Sequence, residues 1–186
     1  MSRGIKSRWG QRPRQVGLVV RLIRAGATRG CLDVGGRTFP CAVGRSGRRA
    51  LKREGDGATP IGRWQLLEVL YRADRGLPPS SALPARAMRP GDGWCDAAGD
   101  RNYNRPVRHP YAASAEQLWR DDHLYDLVVV LGYNVRPRAR GLGSAIFLHL
   151  AHPDRRPTAG CVALSARDLR LVLARIGRRA ELVVPA

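Results

Sequence analysis

The sequence predicts a mainly β domain with short helices, built as a curved mixed sheet or β-sandwich. Three observations predict it. Apolar, β-branched runs of strand length recur at residues 16–23, 30–34, 38–43, 64–71, 127–131, 144–150 and 181–184. Glycines punctuate the early runs, at Gly26, Gly35-Gly36 and Gly44, and a Gly-Gly between two such runs is a hairpin signal. Helix signals are confined to two short stretches. Ser114 stands three residues before Gln117, the capping-box spacing, ahead of Leu118 and Trp119; Ser165 precedes Asp168 in the same way, ahead of Leu169, Val172, Leu173 and Ile176, with Gly177 at the end.

With 186 residues and 44% hydrophobic composition, the chain is long enough for one domain with a sizeable core. Residues 1–15 hold Arg3, Lys6, Arg8, Arg12 and Arg14 among Gly, Ser and Pro and have little to bury, so they read as a mobile basic arm ahead of a domain over 16–186. Residues 44–57 form a polar, glycine-bearing loop before the 64–71 strand. In 72–113, Pro78-Pro79, Pro84, Pro90, Pro106 and Pro110 argue against long helices or central strands. Loops of that length in a compact domain are functional or disordered. Trp94, Arg101, Tyr103 and Asn104 make this insertion a candidate for gripping a peptide or sugar; a solvated loop held by Trp94 and Tyr103 is the alternative. Residues 127–131 are an unbroken apolar run, expected to be central, that ends in Gly132-Tyr133-Asn134. If this strand lies beside the 144–150 strand, Tyr133 and Asn134 reach the substrate; otherwise Asn134 only makes a turn.

The formal net charge is +18, and all of the 33 basic residues except Lys6 and Lys52 are arginine. The arginines are spread over every segment, and dispersed charge gives only non-specific attraction, so an acidic envelope surface is a better partner than a specific nucleic acid. No apolar run is long enough to span a membrane, and the 16–20 run, closed off by Arg21 and Arg24, is poor as a signal-peptide core. Cys31, Cys41, Cys95 and Cys161 include no Cys-x-x-Cys pair, which leaves a structural zinc site with little support. His149, His152 and Cys161 form only a weak ligand pattern, with Pro153 marking a loop. Cys31 and Cys41 sit in adjacent β-type segments, as core thiols or as a disulfide in an oxidising compartment.

The chemistry concentrates in Ile146-Phe147-Leu148-His149-Leu150 and, a short loop later, Pro157-Thr158-Ala159-Gly160-Cys161-Val162-Ala163-Leu164. A cysteine attacks as its thiolate. An unassisted thiol with a pKa of about 8.5 supplies little of it at neutral pH, and a neighbouring imidazole that holds the proton lowers the barrier. His149 is the partner this layout offers. Gly160 permits a tight turn, and the N–H groups of Gly160 and Cys161 are then candidate donors to the oxygen that becomes negative when a carbonyl is attacked. The main-chain carbonyl of Leu150 would orient the imidazole as well as a carboxylate. The competing assignment is a buried core thiol and a structural histidine at a strand end.

The stretches 144–149 and 158–164 resemble the catalytic signature of the YkuD-type L,D-transpeptidase family, enzymes that cross-link peptidoglycan. In that family a histidine on a strand precedes a Ser/Thr-His-Gly-Cys turn, and the cysteine is acylated by a peptide stem. Gly55-Asp56-Gly57-Ala58-Thr59-Pro60-Ile61-Gly62-Arg63-Trp64 is similar to the family's Gly-x-x-Thr-Pro-x-Gly-x-Phe/Trp segment, so the resemblance covers roughly residues 30 to 185. Position by position it implies Cys161 as nucleophile, His149 as base, Gly160 as the turn glycine and Thr158 as the residue that opens the turn on the substrate side. Two departures stand out: Ala159 replaces the second histidine, and Val162-Ala163 replaces the Arg or Asn that many members carry past the cysteine. The chain resembles a divergent branch. The resemblance implies stem peptides as donor and acceptor, no metal or organic cofactor, a periplasmic or cell-envelope location, and a 72–113 insertion that lines or caps the site. An L,D-carboxypeptidase and a non-catalytic peptidoglycan- or polyanion-binding module remain as alternatives.

Overall fold

The computed structural model describes residues 17–186, so the expected basic arm at 1–15 and the first residue of the first expected strand lie outside the described residues. Strands β1 (Leu18–Leu22), β2 (Arg29–Val34) and β3 (Arg37–Ala42) form an antiparallel meander. Gly35 and Gly36, with φ of 61° and 88°, make the turn between β2 and β3. Two successive left-handed residues match the twist of the flanking strands, and glycine adopts them without a Cβ clash. A short parallel pair, β4 (Arg48–Arg49) and β5 (Thr59–Pro60), precedes the long β6 (Gly62–Tyr71) and the short β7 (Ala85–Ala87). Then come β8 (Asp92–Cys95), β9 (Pro106–Arg108), β10 (Ala115–Gln117), β11 (Leu127–Leu131), β12 (Phe147–Leu150), β13 (Val162–Leu164), α1 (Ala166–Leu173) and β14 (Glu181–Val184).

The main sheet runs β11-β12-β13-β3-β2-β1-β14-β6-β7, and β6 pairs with β11 as well. The order of neighbours therefore returns on itself, and the sheet curls into a closed ring with β7 added beside β6. The length of β6 makes this closure possible: Gly62–Gln65 pair with β14, while Leu66 to Tyr71 pair with β11. Pairs β1–β14, β12–β13 and β6–β7 are parallel and the other pairs of this sheet antiparallel, which is the mixed, mainly β architecture the sequence predicts.

The unbroken apolar run of β11 reflects burial on both faces. Leu127, Val129 and Leu131 enter the main core inside the ring, with Leu18, Leu32, Leu148 and Val162; Val128 and Val130 belong to a second cluster on the opposite face, with Leu70, Met88, Trp94, Leu118, Tyr125, Phe147 and Cys161. A second sheet, β10-β8-β9, supplies the Trp94 of this cluster.

The loop-rich stretch 72–113 carries three short strands: β7 lies beside β6, and β8, paired with β9, brings Trp94 onto the apolar outer face of β6, β11 and β12. One expectation is corrected here. The helix expected at 114–119 is absent: Ala115–Gln117 is β10, antiparallel to β8 through Ala115↔Cys95 and Gln117↔Gly93. The Ser-x-x-Gln spacing is a local signal, and long-range pairing overrides it. The other helix signal is realised. Ser165 caps α1, its hydroxyl accepting from the N–H of Asp168 at 3.1 Å, a contact worth about 1 kcal/mol. Leu169, Val172, Leu173 and Ile176 all enter the main core. All four cysteines are free thiols, and among the described residues no helix is long and apolar enough to cross a membrane.

Candidate active site

Strands β12 and β13 position the two candidate reactive side chains, His149 and Cys161. They are parallel neighbours with Leu148 opposite Val162 and His149 opposite Ala163, so Cys161 comes level with Phe147. Alternation along a strand then puts Cys161 and His149 on one face. They are diagonal neighbours, a relation of about 7–8 Å between backbones. Each is only 6% exposed, and both line one cavity of about 300 Å³.

The sulfur is held by main chain. The N–H of Phe147 donates to Sγ at 3.4 Å, and the thiol donates to the carbonyl of Ala145 at 3.3 Å. Ala145 has a φ of 52°, a left-handed conformation that costs a residue with a side chain about 1–3 kcal/mol. His149 has Nδ1 2.9 Å from the carbonyl oxygen of Leu150. A carbonyl can only accept, so Nδ1 carries the hydrogen and Nε2 keeps its lone pair as a proton acceptor. The ring of Tyr125 meets the imidazole edge-on at 5.2 Å.

Burial sets the charge state. It pushes His149 down to about 4, against weaker opposing bonds to the main chain of Leu150 and Leu124. It pushes the Cys161 thiol up to about 12, reinforced by the Glu116 carboxyl. Both groups are therefore neutral at rest near pH 7, which differs from a standing thiolate–imidazolium pair. The desolvated site disfavours the charged form of each.

Gly160 and Thr158 shape the turn that precedes Cys161. Gly160 has a φ of 139°, and a Cβ there would lie 2.9 Å from the carbonyl oxygen of Ala58 and 3.2 Å from Ile146 Cδ1. Thr158 Oγ1 donates to the carbonyl of Cys161 at 2.6 Å and accepts from the N–H of Gly160 at 3.1 Å. This corrects the expectation for Gly160: its N–H is committed to Thr158, which leaves Cys161 N–H as the remaining expected donor to an oxyanion.

Thr158 lines the cavity, but the other expected substrate contacts do not. Trp94 is buried against Phe147, and its indole N–H donates to Asn104 Oδ1 at 2.9 Å. Asn104 also accepts from Ala145 N–H and donates to the carbonyls of Tyr133 and Asn134, so its amide ties three segments together. Tyr103 stands behind the wall, its hydroxyl donating to Glu54 and accepting from Gly143 N–H. Tyr133 donates to the carbonyl of Leu142 and meets Trp64 edge-on. Asn134, at φ 50°, folds its own loop through bonds to Ala139 and Gly143. Arg101 is exposed and accepts a bond from Arg138 on its carbonyl. Polar and aromatic groups that look free in sequence are used up holding loops. Of residues 72–113, Asp96 reaches the cavity wall.

The wall instead contains Lys52, Glu54, Glu116, Tyr125 and Ala159, with Arg45 and Arg156 exposed at its rim. Ala159 occupies the second-histidine position and contributes no proton acceptor. Lys52 has one sequence signal, its standing among so many arginines. Glu116, bonded to the hydroxyl of Tyr125 at 2.7 Å, is hidden from a sequence reading by the misassigned helix.

No curated protein and no solved structure matches the chain. The model of the YkuD L,D-transpeptidase catalytic domain matches residues 19–184, nearly the whole chain, which therefore belongs to that family.

Proposed function

We propose that this chain is a peptidoglycan L,D-transpeptidase that joins stem peptides through an acyl-enzyme on Cys161. The observation that carries this is the placement of Cys161 and His149 on one face of adjacent parallel strands, with Nδ1 tied to Leu150 so that Nε2 is the acceptor. The thiol leaves the Ala145 carbonyl for His149 as substrate enters. While sulfur bonds to the donor carbonyl carbon, the thiol proton passes to Nε2 and the carbonyl π pair moves to oxygen, where Cys161 N–H donates to it. Collapse breaks the C–N bond, and the imidazolium gives its proton to the leaving amine. The thioester that remains is attacked by an amine of a second stem, His149 taking the amine proton and returning it to sulfur. Water in place of that amine makes the same site an L,D-carboxypeptidase. The bond attacked lies on the carboxyl side of an L-configured centre, which in most of the family is the third-position diamino acid of the stem. This substrate assigns the protein to the cell envelope, and its net charge of +18 suits an acidic polymer.

A second reading has one observation in its favour. A thiol that is 6% exposed and pushed up to about 12 suits a structural cysteine in a peptidoglycan-binding module. Intact-protein mass separates the two after incubation with a carbapenem and with a tetrapeptide-stem muropeptide. The enzyme reading expects a covalent adduct on wild type and none on Cys161→Ala. Absence of any adduct on folded, reduced wild type overturns it.

A further inference from the structure

We propose that Lys52 is a positioning residue of the turn before Cys161, its buried ammonium offsetting the negative charge that the sulfur takes on as the thiol gives up its proton. This rests on the acyl-enzyme reading above. Lys52 is 4% exposed, in a residue type almost never buried unless paired. It is ion-paired with Asp56 at 2.7 Å, the two side chains 3% and 9% exposed.

The turn around Asp56 has donors besides the lysine. Asp56 already accepts from the N–H groups of Arg53 and Ala58, each at 2.9 Å. Burial would raise its carboxyl, and Lys52 and these two N–H groups together hold it below the ordinary range. The geometry suits the reverse role, in which a fixed carboxylate aims the lysine.

Gly143, far along the chain, clears the path, and Gly160 lies in ordinary contact with the end of the side chain. A Cβ on Gly143 would lie 2.7 Å from Lys52 Cε, and a Cβ on Gly160 would lie 3.4 Å from Nζ. Both have positive φ, 98° and 139°. The ammonium therefore sits against the residue that immediately precedes the nucleophile. Lys52 is the one lysine among the described residues, where a flexible, compact point charge passes a gap that a planar guanidinium does not.

The other titratable groups facing the sulfur do not supply this charge. Glu116 is a carboxyl, Tyr125 is a phenol bonded to it, His149 rests neutral, and Arg120, which also lines the cavity, is ion-paired with Asp122. The Gly160 N–H is committed to Thr158, so the turn is short of donors and a nearby cation has the larger part to play.

The test is the pH profile of Cys161 alkylation by iodoacetamide, followed by mass of the Cys161 peptide in the full chain. Wild type is compared with Lys52→Met and with Lys52→Met/Asp56→Asn. Loss of an opposite charge moves a thiol by roughly one pH unit or more, so alkylation at a fixed pH of about 9 should fall about tenfold in Lys52→Met, with circular dichroism unchanged. The double variant leaves no uncompensated buried charge and serves if Lys52→Met does not fold; its profile also moves to higher pH. A wild-type profile in either folded variant overturns the proposal, even if thermal stability falls, because stability alone is what a structural lysine would change. Adduct formation with the carbapenem is scored separately on wild type. Its absence there defeats the enzyme reading, while the alkylation profile still decides the part played by Lys52.

Discussion

The imidazole of His149 is oriented by the carbonyl oxygen of Leu150, its own neighbour in β12, at 2.9 Å from Nδ1. The acceptor is main chain, so only a substitution at His149 itself removes that bond and tests the imidazole as base. His149→Gln should slow adduct formation by about 10²- to 10⁴-fold, the usual range for a lost general base. A rate within a factor of about three of wild type would remove His149 from the mechanism.

The same burial makes stability depend on acid. His149 is lowered from 6.5 to about 4, so between those values the unfolded chain binds a proton that the folded chain refuses. The contribution is intact above pH 6.5 and is lost as pH falls through that window, on the order of 3 kcal/mol at its end. Denaturant unfolding of wild type and His149→Gln at pH values of about 7 and 4.5 should show the larger loss in wild type. Equal losses would mean that the imidazole is protonated in the fold.

At the alkaline end the sign reverses. Cys161 and Cys41 are both raised from 9.0 to about 12, each chiefly by burial. Above pH 9 the unfolded chain gives up protons that the folded chain keeps, so stability is complete below pH 9 and falls as pH rises towards 12. Thermal midpoints of wild type and Cys161→Ala at about pH 8 and 10.5 check this, with the steeper fall expected in wild type.

Asn104 is the hub behind the cavity. It is 2% exposed, accepts from Trp94 Nε1 and Ala145 N–H, and donates to the carbonyls of Tyr133 and Asn134. Asn104→Ala strands several buried polar groups and should cost about 3 kcal/mol or more by denaturant unfolding. Trp94→Phe removes one of these bonds and should cost about 1 kcal/mol. Because Ala145 presents the carbonyl that holds the resting thiol, Asn104→Ala should also alter adduct formation, whereas Trp94→Phe should not.

Asn104 also marks where the sequence stops being legible. An amide and an indole that bond to each other have the same composition as a pair waiting for a sugar, and only tertiary placement tells them apart. The β2–β3 hairpin and β11 are legible because their causes are local: a Gly-Gly turn, and a strand buried on both faces. The juxtaposition of Cys161 and His149 is legible because β12 and β13 are close in sequence as well as adjacent in the sheet. The closure of the ring is not legible, since β6 serves β14 with one half and β11 with the other. Lys52 owes its burial partly to Gly143, and no spacing rule links residues so far apart.

The nucleophile turn yields the last prediction. Thr158 Oγ1 joins the carbonyl of Cys161 to the N–H of Gly160, and that hydroxyl is the one side-chain group bonding both. Thr158→Val keeps the shape and removes both bonds, and should destabilise the fold by about 1–3 kcal/mol, while Thr158→Ser should stay close to wild type. Gly160→Ala attacks the same turn by sterics, since its Cβ meets the carbonyl oxygen of Ala58 at 2.9 Å in a backbone region that L-residues avoid. It should lose stability and adduct formation together. Thr158→Val frees the Gly160 N–H at the cost of the turn's geometry, so its rate separates two effects. A rate that falls with stability says the hydroxyl holds Cys161 in place, whereas a rate that rises in the folded fraction says that the freed N–H has become a second donor to the oxyanion.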